Sequence, residues 1–299
     1  EDTPLTLLNR SENETWRAGR LVLRLHRQGY HTRPEIASEL AWLTALQDLP
    51  GLNTTRPIPG RQGLVTDIDG RYVVGFAPLP GQELQPGDDL ARWFAPLGEI
   101  TARLHLHARQ WTPPPGFTRK RWDVDTILGQ DPHWGHWRQA QGLDRDGETL
   151  LTRATEVLAA QLDAYGTGPE TFGLIHADLR LANLMVERDR LTVIDFDDCG
   201  FGWWAYDLAA ALSFIETDPR LPGLIAAWVE GYSGTASLRP EDRAMIPALI
   251  FLRRVLLTAW LSTRADSDTA QALGGPAYTQ GTLDLAERYL ADGLSALLP

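Results

Sequence analysis

The first quarter of the chain alternates apolar and polar residues in the way that is typical of strands. Residues 21–27 alternate strictly, and the pattern places Arg24 and His26 on one face of a strand with leucines on the other. Two further strands are predicted at 64–67 and 72–76, around an Asp-Gly turn. A helix with apolar residues at helical spacing is predicted between the first strand and the second.

After this region the apolar residues recur mostly at helical spacing. Helices are predicted at 88–109, 148–165, 205–217, 221–232, 241–265 and 277–297. Two short apolar runs, 172–175 and 191–196, interrupt the series and flank a charged turn. Residues 111–147 have weak periodicity and are predicted to form an ordered loop or an insertion.

The order of these elements predicts an α+β fold with two parts. Residues 1–77 form a small strand-rich lobe, and residues 78–299 form a large helical lobe after a link rich in proline and glycine. A cleft between two such lobes is the default position for a ligand site.

Composition and charge narrow the classes of partner. The chain carries a formal net charge of −11, so we expect neither nucleic acid nor an anionic membrane as a partner. The most apolar stretch, 244–263, is interrupted by Arg253 and Arg254, so a buried helix is predicted there rather than a membrane span. Cys199 is the single cysteine, which excludes an internal disulfide and favours a cytoplasmic protein.

The residues that point to chemistry lie between 172 and 198. His176, Asp178, Asn183 and Asp195 stand at the ends of the apolar runs. An acid and a carboxamide five residues apart, with a second acid closing the next strand, are able to converge on one point. Such a set offers one carboxylate that receives a proton and two oxygen ligands of the kind that Mg²⁺ prefers. Phosphoryl transfer needs these parts and little covalent chemistry besides positioning.

A simpler alternative to this site is a capped turn between two buried strands, because Asp and Asn are common turn residues. Four polar groups at this spacing, with strands before them and helices after, favour the catalytic interpretation. His105 and His107 lie two apart on a predicted helix and point away from each other, so they do not form a metal pair. Cys199 is a lone thiol beside the site, and an inert one is the expectation.

The pattern His-x-Asp-x-x-x-x-Asn followed by Ile-Asp-Phe-Asp resembles the aminoglycoside phosphotransferase/choline kinase superfamily, the small-molecule branch of the protein-kinase fold. The resemblance covers nearly the whole chain. Segments 11–15 and 195–198 are most similar to homoserine-kinase-like and bacterial stress-response-kinase-like members. The resemblance implies a protein-kinase-like two-lobe fold that uses ATP and Mg²⁺ to phosphorylate a hydroxyl group.

Roles follow from the resemblance position by position. Asp178 corresponds to the catalytic base that orients and deprotonates the acceptor hydroxyl, and Asn183 and Asp195 correspond to the Mg²⁺ ligands. Arg180 is expected to neutralise charge on the transferred phosphoryl group, with a surface ion pair as the alternative.

Two further residues are expected to support the catalytic loop. His176 corresponds to a scaffold residue, and Asp207 corresponds to a buried acid that hydrogen-bonds the loop backbone. The alternative for Asp207 is an ordinary acid at a helix N-terminus, which the helix dipole favours.

In the small lobe, Arg24 stands where the superfamily's strand usually presents lysine, and Glu39 stands where the next helix supplies its partner. Arginine is permanently charged and forked, so Arg24 is expected to pair with phosphate and with Glu39. The alternatives are a solvated strand residue and an exposed helix acid. The loop 9–19 is expected to cover the nucleotide, and the adenine is expected to meet backbone near Phe76 and Ala77.

Asp197, Asp198, Trp203 and Trp204 follow the metal strand and form a candidate acceptor pocket, because carboxylates and aromatic faces suit an amine. The alternatives are an extension of the metal site by the two acids, a solvated acidic turn, and core packing of the tryptophans. Together with the habit of the superfamily, this local acidity favours an amino alcohol as the acceptor, whether homoserine-like, choline-like or aminoglycoside-like.

The sequence therefore predicts an enzyme, a small-molecule kinase that moves the γ-phosphoryl group of ATP. One rival is a protein Ser/Thr kinase of the stress-response type, which the lack of an Ala-Pro-Glu-type segment after Asp195 disfavours. The other rival is a non-catalytic nucleotide-binding pseudokinase, which the intact Asp178, Asn183 and Asp195 disfavour.

Overall fold

A computed structural model describes residues 3–10 and 13–298 of the chain. They divide into two compact units. Unit 1 takes in the described residues up to Leu84 together with Gln110–Lys120 and Ala182–Cys199, and unit 2 takes in Gln85–Arg109, Arg121–Leu181 and the described residues from Gly200 onward. Ser11 and Glu12, which belong to the predicted signature 11–15 and to the predicted loop over the nucleotide, lie outside the described residues. The predicted domain boundary after residue 77 stays a prediction.

A six-stranded antiparallel sheet forms much of unit 1. Its strands are β1 (Leu5–Arg10), β2 (Glu14–Ala18), β3 (Leu21–Leu25), β4 (Pro57–Ile58), β5 (Val65–Ile68) and β6 (Arg71–Phe76). Their order is β1-β2-β3-β6-β4, with β5 also paired to β6. Arg24 on the central strand β3 lies opposite Thr15 of β2 and Val74 of β6. Arg24 and His26 are both buried, so the sheet turns this polar pair inward.

The helix of unit 1, α1 (Arg33–Leu46), begins at a capping box. The Thr32 side chain accepts the N–H of Glu35, and the Glu35 carboxylate accepts the N–H of Thr32. The buried side of α1 is apolar except for Ser38 and Glu39, and Glu39 is fully buried. A buried carboxylate is costly without a charged partner. We therefore expect Glu39 to form an ion pair within the unit.

A three-stranded sheet in the same unit carries the predicted metal residues. It consists of β7 (Gln82–Glu83), β10 (Leu184–Glu187) and β11 (Arg190–Val193), with β10 in the middle. Leu184 lies opposite Val193 in the β10–β11 hairpin. Asn183 directly precedes β10 and Asp195 lies two residues after β11, so the hairpin brings these two residues to the same end.

Unit 2 is mainly helical. Its helices are α2 (Ala91–Gln110), α3 (Val124–Leu128), α4 (Arg145–Tyr165), α5 (Tyr206–Ala211), α6 (Leu221–Ser233), α7 (Pro240–Thr263), α8 (Asp268–Leu273) and α9 (Gly275–Asp292). A small sheet places β12 (Gly200–Trp203) between β9 (Phe172–Ile175), which is antiparallel to it, and β8 (Arg121–Trp122), which is parallel. Strand β9 leads directly into the loop that begins at His176.

Helices α2 and α6 approach each other closely in unit 2. An ideal Cβ on Gly98 would lie 2.1 Å from the carbonyl oxygen of Trp228, and one on Gly231 would lie 1.9 Å from that of Ala95. Both positions therefore require glycine. This close crossing fixes α2, which carries His105 toward the catalytic loop.

Among the described residues, α7 is the one helix long and apolar enough to cross a membrane by length and composition alone. Of its most apolar window 89% is buried inside the protein, as in a core helix. Arg253 and Arg254 in its middle are only 1% and 5% exposed. Because a buried guanidinium is costly without partners, each of them must find its partners within the protein.

The predicted α+β class, with a strand-rich N-terminal region and a helical remainder, is confirmed. The predicted extent of one helix was wrong, because the helix predicted at 205–217 ends at Ala211. Residues 111–147, predicted as an ordered loop or an insertion, contain the short elements β8 and α3 and a 3-10 turn at Trp137–Gln139. Elements of two to six residues span too few periods to show in a hydrophobic pattern, and Phe214, whose φ is 70°, lies in a backbone conformation that interrupts a helix.

Candidate active site

Arg24 is the centre of a buried ion-pair group in unit 1. Its Nη2 donates to both carboxylate oxygens of Glu39 at 2.6 Å, and its Nη1 donates to Asp195 Oδ1 at 3.0 Å. Burial by itself lowers the pKa of Arg24, but the charges of Glu39, Asp197 and Asp195 outweigh it and raise that pKa above its ordinary value. The structure thus brings the predicted pair Arg24 and Glu39 together with a predicted metal ligand.

Asp195 and Asn183 supply the oxygen atoms expected to hold a metal. Asp195 has a φ of 59°, which is uncommon for a residue other than glycine, and its side chain is 42% exposed, so a ligand can reach it. Asn183 is buried, and its backbone carbonyl oxygen accepts the N–H of Ile194 at 3.0 Å. A carboxylate and a carboxamide oxygen are donors that suit Mg²⁺. The residues present therefore fit the metal that the sequence predicts.

Asp197 lies in a buried polar cluster of unit 1. Its carboxylate accepts Asn13 Nδ2 at 2.8 Å and lies 3.3 Å from His26 Nδ1 and 3.6 Å from His31 Nε2. Burial would raise the pKa of Asp197, but the charge of Arg24 and the two imidazoles outweigh it and hold that pKa well below its usual range. These contacts join the segment after β11 to the loops that precede β2 and follow β3. The predicted acceptor role of Asp197 stays a prediction.

The segment from Asp197 to Cys199 is also held through Tyr30 and Arg119. The Tyr30 hydroxyl donates to Asp198 Oδ1 at 2.5 Å, and the Arg119 guanidinium donates to the carbonyl oxygens of Asp197 and Cys199. Burial raises the pKa of the Cys199 thiol to about 12, so it stays protonated and unreactive, as expected. The acceptor role predicted for Asp198 stays a prediction.

In unit 2 the loop that follows β9 is held by Asp207 at the start of α5. This fully buried carboxylate accepts the N–H of His176 at 3.1 Å and that of Ala177 at 2.7 Å. His105 Nε2 lies 3.1 Å from the same carboxylate, which explains a histidine that the sequence left without a role. His176 Nδ1 accepts the N–H of Asp178 at 3.2 Å. Asp207 and His176 therefore hold the backbone of this loop.

Two arginines flank the carboxylate of Asp178. Arg180 Nε donates to Oδ2 at 3.2 Å, and Arg253 Nη2 donates to Oδ1 at 2.5 Å. Burial would raise the pKa of Asp178, but the charges of Arg253, Arg180 and His176 outweigh it and lower that pKa. Asp178 is therefore ionised at neutral pH and can accept a hydrogen bond from a hydroxyl group.

Sequence reasoning missed Arg253 and the cluster around Asp197. For Arg253 a signal was present, because two arginines inside an apolar helix must be paired when that helix is buried. The sequence does not say which carboxylate is the partner. For Asn13, His26 and His31 the sequence offers no comparable signal, since each is an ordinary loop or strand residue by pattern.

The two residues predicted near the adenine lie at the end of β6, a strand that pairs with both β3 and β4. The Phe76 ring lies 5.1 Å from the Arg24 guanidinium, and the N–H of Ala77 donates to the Arg56 carbonyl at 2.9 Å. The Ala77 N–H is thus already bonded within the protein. The predicted contact of adenine with this stretch stays a prediction.

Trp203 and Trp204 are buried in unit 2. Their indole N–H groups donate to the carbonyl oxygens of Gly166 at 2.9 Å and Pro169 at 3.3 Å. These contacts are those of core packing, the alternative that the sequence left open for both residues. Their predicted place in an acceptor pocket stays a prediction.

The chain belongs to the phosphotransferase enzyme family, whose pattern matches residues 8–243. This span contains Arg24, the loop with Asp178, and the metal hairpin with Asp195. The predicted superfamily membership is confirmed, and the protein is a small-molecule kinase.

Individual relatives agree with the family. The solved structure of a microcompartment-associated aminopropanol kinase is 44% identical, with a TM-score of 0.87, and the similarity covers 97% of this chain and 93% of that chain. An amicoumacin kinase, solved with AMP-PNP and Ca²⁺, shares the fold at 20% identity and a TM-score of 0.75, covering 94% of this chain and 88% of that chain. A homoserine kinase of Methylobacillus glycogenes is 27% identical over 263 residues, which is 85% of this chain and 76% of that protein.

Proposed function

We propose that this protein transfers the γ-phosphoryl group of ATP to the hydroxyl group of a small amino alcohol, with Mg²⁺ as the metal. The observation that carries the acceptor class is the 44% identity to an aminopropanol kinase over 97% of the chain. The amicoumacin kinase with AMP-PNP and Ca²⁺ supports the use of a nucleotide and a divalent cation. The relatives named above are small-molecule kinases, so the protein-kinase and pseudokinase alternatives gain no support from them.

In the proposed reaction the acceptor oxygen forms a bond to the γ-phosphorus of ATP. The bond from that phosphorus to the oxygen shared with the β-phosphate breaks, and ADP leaves. Asp178 accepts a hydrogen bond from the hydroxyl group, then takes its proton and later returns it to water. The lowered pKa of Asp178 makes it a weak base, which suits a loose transition state in which the hydroxyl keeps its proton until late.

The remaining groups neutralise and position the phosphates. Arg24 is held by Glu39 and replaces the usual lysine with a fork that also reaches Asp195. Arg180 lies beside Asp178, where negative charge on the transferred group would pass. Mg²⁺, when bound, supplies further positive charge at the phosphate oxygens, and Asn183 and Asp195 are the residues that would hold it.

A cytoplasmic location is part of this proposal. The single cysteine, Cys199, is buried and free, which suits a reducing compartment. ATP is also available there.

The proposal is tested by turnover with a matched set of acceptors. Aminopropanol, ethanolamine, choline and homoserine carry both an amine and a hydroxyl group, while propanediol lacks the amine and propylamine lacks the hydroxyl. We expect ADP release with at least one of the first four, a phosphate monoester in the phosphorus NMR spectrum, and loss of both on addition of EDTA. ADP release with none of the amino alcohols would contradict the acceptor class, and release that survives EDTA would contradict the metal.

A further inference from the structure

We infer that Arg253 is a positioning residue for the base, which fixes both the Asp178 carboxylate and the peptide before it. The inference rests on the proposed function, in which Asp178 receives the proton of the acceptor hydroxyl. The groups that carry it lie within unit 2 and belong to α5 and the turn after it, to α7, and to the loop after β9.

The Arg253 guanidinium binds two consecutive residues of the catalytic loop. Its Nη2 donates to Asp178 Oδ1 at 2.5 Å, and its Nη1 donates to the carbonyl oxygen of Ala177 at 3.3 Å. Its other hydrogen bonds go to neutral oxygens, the Tyr206 hydroxyl at 3.3 Å and Ser213 Oγ at 2.9 Å, and its guanidinium lies 5.1 Å from the centre of the Trp134 ring. Arg253 is 1% exposed, so its orientation is set by the surrounding protein groups.

The peptide group to which Arg253 donates belongs to a residue with a strained backbone conformation. Ala177 has a φ of 67°, a conformation that costs free energy for any residue with a side chain. Asp207 accepts its N–H at 2.7 Å, and Arg253 donates to its carbonyl oxygen. The strained residue is therefore fixed from both sides, and the direction in which Asp178 leaves the backbone is fixed with it.

Among the described residues, Arg253, Arg180 and His176 act electrostatically on Asp178, and they differ in rigidity. Arg180 and His176 belong to the same loop, so they move when the loop moves, and the Arg180 side chain is 25% exposed. Arg253 comes from the middle of the buried helix α7. It is thus the group that ties the carboxylate to the rigid part of the unit, and positioning to within about 1 Å is worth about 100-fold in rate.

The next residue of α7 provides a matched control. Arg254 is also buried, but it pairs with Glu216 at 2.9 Å and donates to Thr282 Oγ1 and the Tyr278 carbonyl at 2.8 Å. These contacts do not include the catalytic loop. Both arginines stabilise the same helix, and only Arg253 touches the base.

The first experiment compares Arg253→Met, Arg253→Lys and Arg254→Met by kcat, KM for ATP and the pH profile of kcat. For Arg253→Met we expect kcat to fall about 100-fold, an unchanged KM for ATP, and an acid limb displaced upward by about one pH unit or more. For Arg253→Lys we expect the acid limb to stay in place, because the charge remains, and kcat to recover in part. For Arg254→Met we expect a lower Tm with the acid limb unmoved.

Two results of this comparison would overturn the inference. One is Arg253→Met with the kcat and acid limb of the wild type. The other is Arg254→Met with the same displaced acid limb as Arg253→Met, because the effect would then belong to the helix as a whole. If Arg253→Met does not fold, Arg253→Lys provides the test. A kcat lower than that of the wild type, with the acid limb of the pH profile unmoved, supports the inference. An acid limb that moves although the positive charge is retained contradicts it.

A second readout needs no acceptor and separates this inference from the proposed function. The Asp178 carboxyl carbon is followed by NMR in aspartate-labelled protein, with the signal assigned by its loss in Asp178→Asn. We expect it to titrate at higher pH in Arg253→Met than in the wild type. If the wild type phosphorylates no amino alcohol, the proposed function fails while this titration still tests Arg253. If the two titration curves coincide, the inference fails whatever the acceptor.

Discussion

Two buried arginines, one in each unit, meet carboxylates in opposite ways. Arg24 of unit 1 lies among three carboxylates, those of Glu39, Asp195 and Asp197. Arg253 of unit 2 donates to one carboxylate, that of Asp178, while its other hydrogen bonds go to neutral oxygens. The first group has an excess of negative charge, whereas the second, with Arg180 also present, has an excess of positive charge.

The difference matches the two tasks of a phosphotransferase. An excess of carboxylates around one arginine suits a region where a cation is to bind, and Asp195 there keeps an exposed side chain. An excess of arginines around one carboxylate suits a region that meets the charge of a transferred phosphoryl group, and Asp178 there is 8% exposed and held. A metal ligand has to be reached by its ion, while a base has to be kept in one orientation.

The largest effect is expected from removing Asp178, the proposed base. Asp178→Asn should lower kcat by roughly 10²–10⁴-fold, because general base catalysis and hydroxyl orientation are lost together. Nucleotide affinity, measured by calorimetry with a non-hydrolysable ATP analogue and Mg²⁺, should stay close to that of the wild type. If Asp178→Asn weakened nucleotide binding as much as Asp195→Asn does, the two regions would not have separate tasks.

The next largest effect is expected on stability. Arg24→Met should cost about 3–5 kcal/mol in the free energy of unfolding, because it leaves the fully buried Glu39 without its partner. Urea unfolding measures this cost. The double variant Arg24→Met with Glu39→Leu should regain most of it, since no unpaired charge remains between them. A double variant no more stable than the single one would show that the pair is not the source of the loss.

A smaller effect is expected at the other side of the catalytic loop. Asp207→Asn should cost about 1.5–3 kcal/mol, because an amide replaces the charged acceptor of the His176 and Ala177 N–H groups. Urea unfolding again measures it. Asp218→Asn, which affects an exposed pair with Arg220, is the control and should cost clearly less than Asp207→Asn. Equal losses in the two variants would contradict the role given to Asp207.

The smallest effect concerns the pH dependence of stability, in which the two regions should differ. Both Asp197 and Asp178 have lowered pKa values, and that of Asp197 lies further below the usual range. Each carboxylate therefore contributes stability that is present above the pKa of an unfolded aspartate, about 4, and is lost as pH falls below it toward the folded pKa. The free energy of unfolding is measured with urea at a series of pH values from neutral to acidic. Asp197→Asn should make it depend less on pH than Asp178→Asn does.

The prediction from sequence went furthest where the signal is local. The strand at 21–27 and the helices α2 and α4 follow from periodicity. Most apolar positions of the two helices are buried, whereas in strand β3 the buried residue is Arg24. Asn183 and Asp195 could be paired from sequence because a short hairpin joins them. The short elements between 111 and 147 could not be predicted, because a two-residue strand or a single helical turn leaves no periodic pattern.

The residues of the candidate site also divide into those with a local sequence signal and those without one. Alternation placed Arg24 and His26 on one face of a strand, and the choice of that face as the buried one came from the packing of α1 with its buried Glu39. From the sequence alone, Asp197 is expected to be an acid in a turn. Its burial depends on Asn13, which is 184 positions away along the chain. Contacts between residues so distant in sequence depend on the tertiary fold. The pattern of apolar and polar residues within one segment carries no information about them.

The sequence by itself determined the class of chemistry, because Asp178, Asn183 and Asp195 lie within one loop and one hairpin whose spacing is a local property of the chain. It also determined that Arg253 and Arg254, inside an apolar helix, need partners. Only the tertiary structure decided which partners these are. Arg253 meets Asp178, 75 residues earlier, and Arg254 meets Glu216, 38 residues earlier. The physical reason is that burial makes a charge partner necessary, while the fold alone brings a particular carboxylate within reach.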